Sequence, residues 1–190
     1  MLAKSSPEKL TIEMRAADVA QLYDMLDPYP FPERDLDPEV DAFIVGWVRE
    51  KRDRGPIGIV VHLPAGECDR PAARQLAGAV QRHYTRRADA MTVEITELFR
   101  NGRRFLLIGV VVLLFCVILS QNVGAWLGAG GVSNFVAESA LILGWVANWR
   151  PIEIFLYDWW PLKRRRTLFR RLASADVRLR AEPKRNDTGI

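Results

Sequence analysis

The chain has 190 residues, with 27 Lys and Arg, 23 Asp and Glu, two Cys and two His. That length allows one or two compact domains. The composition excludes a disordered chain and a disulfide-rich scaffold, and 33 consecutive residues without a formal charge, from 105 to 137, exclude an ordinary soluble domain.

Residues 1–100 are predicted to form a small cytoplasmic α/β domain, because apolar residues recur there at both strand and helix spacings. Residues 1–9 are polar and lack the apolar core expected of a signal peptide. Asp and Pro at 37 and 38 are typical of a helix start, and Pro residues after 27 stop the preceding helix. The predicted elements, in chain order, are a strand at 10–14, a helix at 17–26, a helix at 37–51, a strand at 57–63 and a helix from 71 to 102.

Two strands are too few to form an independently stable sheet. Either the helices cover them, or a second copy of the chain supplies further strands. An open edge strand is a ready pairing surface, so self-association is expected.

Polar groups of this region do not form a recognisable chemical site. The stretch 24–41 holds seven acidic residues, but it lacks the Gly and Glu positions of a calcium-binding EF-hand loop. Helix caps and a solvated acidic face are expected there, and docking of a basic partner, such as the chain's own C-terminal tail, is the alternative. His62, His83 and Cys68 lack metal-ligand spacing, and no phosphate loop or nucleophile motif is present. We therefore expect no enzyme activity, no metal and no cofactor.

Residues 103–150 are predicted to form a transmembrane helical hairpin. The first segment, 105–126, is about 33 Å long as a helix and matches the roughly 30 Å hydrocarbon core. The second, 133–149, is about 26 Å long, so a re-entrant or interfacial helix is the alternative. A Gly-rich turn at 128–131 joins the two segments.

Lys and Arg residues flank the hairpin but are missing from its central turn. The positive-inside rule therefore places both termini in the cytoplasm.

Glu138 lies inside the second apolar segment. An ionisable residue in a membrane helix indicates a functional site, facing a partner helix or a proton path. Its position one turn after the Gly-rich bend also allows simple contact with water or headgroups.

Residues 151–190 are predicted to form an interfacial aromatic segment and a basic cytoplasmic tail. Arg150 and Glu153 have the spacing of an ion pair, and Pro151 favours a bend. The aromatic and charged residues that surround this point are typical of an interfacial anchor, or alternatively of a protein-binding surface. The candidate residues are Trp149, Arg150, Glu153, Tyr157, Asp158, Trp159 and Trp160.

The last 30 residues carry ten basic and three acidic residues. Because they follow an apolar segment directly, they are expected to bind anionic lipid headgroups rather than nucleic acid. The residues assigned to headgroups are Lys163, Arg164, Arg165, Arg166, Arg170 and Arg171.

The motifs at 28–37 (PYPFPERDLD) and 144–166 (GWVANWRPIEIFLYDWWPLKRRR) resemble a family of uncharacterised bacterial two-pass inner-membrane proteins. The resemblance implies a bacterial inner-membrane location and supplies no activity or site residue.

The fold class predicted from the sequence is an α-helical membrane hairpin with a small N-terminal cytoplasmic α/β domain and a basic C-terminal tail. The preferred function is a non-enzymatic membrane adaptor, assembly factor or accessory subunit, acting as a homo-oligomer or in a larger membrane complex. The alternative is a homo-oligomeric pore or transport component that uses Glu138, and an enzyme acting on lipids ranks third.

Overall fold

The computed structural model describes residues 10–29, 34–51, 55–128 and 130–182. The chain divides into two compact units. The first comprises Met1–Asp89 together with Thr167–Ile190, and the second is Ala90–Arg166. Among the described residues the fold is mostly helical, with one parallel sheet of three strands. The predicted boundaries at 100 and 150 thus differ from the units, because residues from both ends of the chain build the first one.

The sheet contains β1 (Leu10–Arg15), β2 (Ile57–Pro64) and β3 (Asp176–Glu182), in the order β1-β2-β3. Both pairings are parallel, with Ile59 of β2 opposite Ile12 and Val177. One face of the central strand is buried, and the other is partly buried from Val60 onward. β1 and β2 confirm the predicted strands.

The third strand corrects the assignment of 151–190 to an interfacial segment and basic tail. Val177 and Leu179 alternate with charged residues along β3, and both are partly buried. That alternation is typical of a half-buried edge strand, but the high Arg content of the segment obscured it. A basic segment of this chain is therefore part of the α/β sheet.

Three short elements complete the N-terminal part of the first unit: a 3₁₀ helix (Val19–Leu22), α1 (Pro38–Lys51) and α2 (Ala65–Cys68). The predicted helix at 17–26 is wrong. Tyr23 leaves the 3₁₀ helix in extended conformation and forms a β-bridge with Leu36. The start of α1 is confirmed, since Asp37 Oδ1 accepts hydrogen bonds from the backbone N–H groups of Glu39 (2.8 Å) and Val40 (3.3 Å).

The helix α3 runs without interruption over 57 residues, Pro71–Leu127. The predicted end at Asn101 and Gly102 is wrong. A Cβ at position 102 would lie 2.9 Å from Ile154 Cγ2. Gly102 therefore allows the side chain of Ile154 to approach closely, and the helix continues past it. The first part of α3 belongs to the first unit and the remainder to the second.

Within the described residues, α3 is the one helix long and apolar enough to cross a membrane, judged by length and composition. Only 17% of its most apolar stretch is buried, whereas a core helix of a soluble protein is mostly buried. The segment expected as a second span forms α4 (Gly131–Ala147), whose 17 residues are about 26 Å long. By this measure the structure shows one candidate span and not two.

The return path after α4 consists of α5 (Trp149–Glu153), a π-helical segment (Ile154–Asp158) and α6 (Trp159–Ala173). Gly128 follows α3 with φ +78°, a left-handed conformation that favours glycine after a helix end. At the start of α4, Ser133 Oγ donates to the Gly130 carbonyl (2.8 Å) and accepts from the Gly130 N–H (3.1 Å). The helix then breaks at Asn148, three residues before Pro151.

Candidate functional site

A seam of buried, mostly small residues joins α3 to the return path inside the second unit. On α3 the buried positions recur every seven residues, as in left-handed helix pairs. They are Gly102, Gly109, Cys116 and Val123. The buried positions of the return path are Ser133, Ala140, Gly144, Asn148, Pro151 and Ile154. We call these ten residues the helix seam.

Glycines bring the two backbones of the helix seam close together. A Cβ at Gly109 would lie 2.7 Å from Asn148 Oδ1 and 3.1 Å from the Ala147 carbonyl oxygen. A Cβ at Gly144 would lie 2.8 Å from Leu113 Cδ1. Small residues at such contacts are typical of helix pairs in membranes, where packing rather than hydrophobic burial holds helices together.

Asn148 is the polar residue at the centre of this packing, and its side chain is buried. Its Nδ2 donates to the Gly109 carbonyl on α3 (3.0 Å) and to the Gly144 carbonyl on α4 (2.9 Å). The amide therefore ties the end of α4 to the neighbouring helix, with both bonds directed at backbone oxygens that glycine leaves accessible.

Large apolar side chains of α3 and α4 point away from the helix seam and are exposed. They include Leu107, Ile108, Leu114, Phe115, Ile118, Phe135, Ile142, Leu143, Trp145 and Val146. An apolar surface of this extent marks a membrane or protein interface in a folded protein.

At one end of the helix seam, the π-helical segment brings three charged side chains together. Arg150 lies 2.9 Å from Glu153 Oε2, which confirms the predicted pair, and 3.3 Å from Asp158 Oδ2. Residues 150 and 158 would be about 80° apart around a regular α-helix. The π-helical segment places more residues in each turn, which reduces this angle and turns Asp158 toward Arg150. Arg150 thereby has two carboxylate partners.

Aromatic rings stack beside this ion-pair group. Trp159 lies 6.5 Å from Phe99 between ring centroids, and its Nε1 donates to the Phe155 carbonyl (2.9 Å). The ammonium of Lys163 lies 5.1 Å from the Trp159 ring, and the guanidinium of Arg164 lies 5.2 Å from the Trp160 ring. The structure thus combines cationic and aromatic groups in adjacent turns of α6, an arrangement favourable to cation–π attraction.

The remaining predicted site residues do not all join this group. Trp149 and Tyr157 are exposed and make no ring contact with it among the described residues. Arg165 is exposed in the second unit, whereas Arg166 is partly buried there. Arg170 and Arg171 belong to the first unit, where Arg171 Nη2 donates to the Gly55 carbonyl (2.8 Å). Glu138 is exposed on α4 and is not a member of the helix seam.

A second polar group, not foreseen from the sequence, surrounds His83 in the first unit. Its Nδ1 lies 3.5 Å from Asp35 Oδ1 and its Nε2 lies 3.4 Å from Asp41 Oδ1. Arg87 pairs with Asp41, and its guanidinium lies 4.5 Å from the Phe169 ring of α6. These contacts connect α1, α3 and the C-terminal part of the chain.

The pKa values of this group follow from burial and charge. Burial alone would raise the pKa of Asp41, but its contacts with His83 and Arg87 outweigh burial and hold the pKa below its ordinary value of 3.8. Burial raises the pKa of the Tyr84 hydroxyl, and the nearby charge of Asp41 adds to that increase. Tyr84 therefore stays neutral, and Asp41 is an anion at neutral pH.

We expect Asp41→Asn to lower the free energy of unfolding of the first unit by about 2 kcal/mol at pH 7, because charged hydrogen-bonding partners are lost. Since the pKa of Asp41 is depressed by folding, this contribution is present above pH 3.8 and disappears as pH falls through the lower folded-state pKa. Thermal unfolding of the full chain in detergent, followed at several pH values, measures the difference. The exposed Asp89→Asn serves as control, and a gap between wild type and Asp41→Asn that does not narrow as pH falls below 3.8 would contradict the assignment.

Comparison of the chain with protein-family models, with curated protein sequences and with solved structures finds no match. The resemblance of residues 28–37 and 144–166 to a bacterial two-pass family therefore stays a hypothesis.

Proposed function

We propose that this chain is a non-enzymatic membrane adaptor of the bacterial inner membrane. Two helical spans anchor it, both termini lie in the cytoplasm, and the α/β unit binds a partner protein. The observation that carries the proposal is the helix seam, with small buried residues between the helices and large apolar residues outside it. A helix pair built in this way is suited to lipid rather than to water.

The length of the return path supports a second span. α4 and α5 together cover residues 131–153, about 34 Å of helix. Asn148 interrupts this path, but its side-chain NH₂ donates to two backbone carbonyls, so both of its hydrogens are satisfied away from water. The Arg150 charge, paired with Glu153 and Asp158, is suited to the membrane interface, because ion pairing reduces the cost of leaving water.

Basic and aromatic residues support contact with anionic lipid headgroups at the cytoplasmic side. Gly102 of α3 packs against Ile154, so Arg100, Arg103 and Arg104 lie near the level of the π-helical segment. Lys163 and Arg164 follow one turn after the paired tryptophans. Each Lys or Arg near an anionic membrane surface contributes about 1 kcal/mol to the free energy of membrane binding.

Thiol labelling in intact cells tests the topology. In a Cys68→Ser, Cys116→Ala background, we expect Val132→Cys to react with a membrane-impermeant maleimide from outside, since Val132 is exposed in the first turn of α4. Gly66→Cys, in the cytoplasmic α/β unit, is expected to react only after lysis. Labelling of Val132→Cys only after lysis would exclude a crossing by α3 and, with it, the proposed topology.

A homo-oligomeric pore is the second candidate, and the exposed position of Glu138 on α4 is the observation that favours it. A carboxyl group on the outer face of a membrane helix is costly unless another helix or water meets it. If the chain forms such a pore, reconstituted vesicles should show ion flux, and this flux should decrease in the Glu138→Gln variant.

A further inference from the structure

Gln121 and Glu138 are exposed polar residues on the apolar helices of the second unit. Gln121 lies on α3 six residues before the helix ends at Leu127, and Glu138 lies on α4 seven residues after the helix begins at Gly131. At about 1.5 Å per residue, each residue is about 10 Å along its helix from the connecting turn. The two side chains therefore lie at a similar depth.

The two residues lie on opposite outer faces of the helix pair. Gln121 precedes the seam residue Val123 by two positions, which places it about 160° away around α3. Glu138 precedes the seam residue Ala140 by the same two positions on α4. Both side chains therefore face away from the helix seam, and they do not meet within one copy of the chain.

Both polar groups need a partner in lipid. A carboxyl or carboxamide group that faces hydrocarbon is costly unless another polar group meets it. Residues 105–149 contain no Lys or Arg, so this part of the chain supplies no basic partner for Glu138. Within the described residues, neither Gln121 nor Glu138 has a side-chain hydrogen bond or ion pair.

A second copy of the chain offers the matching group. The Gln121 carboxamide has two N–H donors and the Glu138 carboxyl group has acceptor oxygens, so the outer face of α3 complements that of α4. A two-fold pair of copies through α4 would bring Glu138 against Glu138, and like charges disfavour it. About one turn deeper, Ile118 on α3 and Ile142 on α4 are exposed, and their contact would exclude water from the polar pair.

We propose that copies of the chain associate side by side in the membrane, with the Glu138 carboxyl group of one copy accepting a hydrogen bond from the Gln121 amide of the next. The inference rests on the two spans proposed above and names the partner of the exposed carboxyl group. Because the contact joins different faces of the two copies, its repetition gives a ring or a longer array. Glu138 then lies between helices and requires no water-filled pore.

Chemical crosslinking in native membranes tests this arrangement. The background carries Cys68→Ser and Cys116→Ala, which remove the native thiols. Ile118→Cys and Ile142→Cys are then combined, so that each outer face carries one thiol. We expect a short, membrane-permeant bismaleimide to give a ladder of dimers, trimers and larger species, whereas either single variant remains monomeric. A dimer from a single variant, or no ladder from the combined variant, would overturn the proposal.

Variants of the two polar residues test the hydrogen bond. We expect Glu138→Leu and Gln121→Leu each to lower the crosslinked fraction about fivefold, whereas Glu138→Gln, which keeps an acceptor oxygen, preserves the ladder. Asn122→Leu is the matched control and should leave the ladder unchanged, because the Asn122 amide already donates to the Ile118 carbonyl of its own helix (2.8 Å). A ladder that survives Glu138→Leu would show that the carboxyl group does not hold the copies together.

Thiol labelling of Val132→Cys separates failure of this contact from failure of the anchor. Labelling from outside without a crosslinked ladder would overturn the contact between copies and leave the proposed topology in place. Labelling only after lysis would overturn both.

Discussion

Deletion of residues 176–190 is expected to unfold the α/β unit while the apolar helices still enter the membrane. β3 supplies a seven-residue strand to the central strand β2 and partly buries Val177 and Leu179. At about 1 kcal/mol for each hydrogen bond, plus the apolar contacts, the loss is comparable to the total stability of a small domain, about 5–15 kcal/mol. The unfolding is measured by limited proteolysis in native membranes, with mass spectrometry used to detect cleavage within residues 10–89.

Deletion of residues 183–190 alone is the matched control, because it leaves β3 complete. We expect the shorter deletion to keep the protease resistance of the full chain. If the longer deletion also kept it, β3 would not be an integral strand of the sheet.

Gly109→Leu is expected to destabilise the helix seam by about 3 kcal/mol, at the upper end of overpacking costs. Its side chain would overlap Asn148 and approach the Ala147 carbonyl, so the helices must separate and Asn148 must give up its two hydrogen bonds. The buried thiol of Cys116 reports this separation. In a Cys68→Ser background, a membrane-permeant maleimide should label Cys116 at a lower fraction of SDS in the variant than in the parent.

Gly124→Leu provides the control on the same apolar part of α3. A Cβ at Gly124 meets nothing within 4 Å, so the added side chain faces open space. We expect Cys116 in this variant to be labelled at the same SDS fraction as in the parent. Similar shifts for both variants would show that general changes in α3, and not seam packing, determine the accessibility of Cys116.

The elements predicted correctly from the sequence are those with local signals. β2 is apolar at all positions but His62, and α1 begins at an Asp–Pro pair whose carboxylate caps the helix. The apolar run at 105–126 also identified a helix able to cross a membrane. Each of these features is determined by residues that are close together in the sequence, so it can be predicted without knowing how the chain is arranged in space.

The missed features depend on contacts between distant residues. β3 lies in an Arg-rich segment and is recognisable as a strand only once β2 is its neighbour. Gly102 has the local pattern of a helix end, and its contact with Ile154 is not visible in the local sequence. The seven-residue spacing of Gly102, Gly109, Cys116 and Val123 is a sequence signal for the α3 side of the helix seam, whereas the return-path side has no such period.

In the candidate site too, contacts between residues close in sequence were predictable and contacts between distant residues were not. The pairing of Arg150 with Glu153 follows from their spacing of three residues, whereas the contact of Arg150 with Asp158, eight residues away, is visible only in the structure. His83 meets two aspartates from a distant part of the chain, a contact that spacing alone does not predict.

The position of β3 at the end of the chain also determines when the sheet forms during translation. More than 100 residues, including the entire apolar region, separate β2 from β3. Ribosomes add roughly 5–20 residues per second, so the nascent chain exposes one edge of β2 for several seconds while the apolar segments emerge. The sheet is completed only after those segments have left the ribosome. Products of premature termination therefore lack the closing strand and remain open to cellular proteases, which couples the survival of the α/β unit to synthesis of the apolar helices.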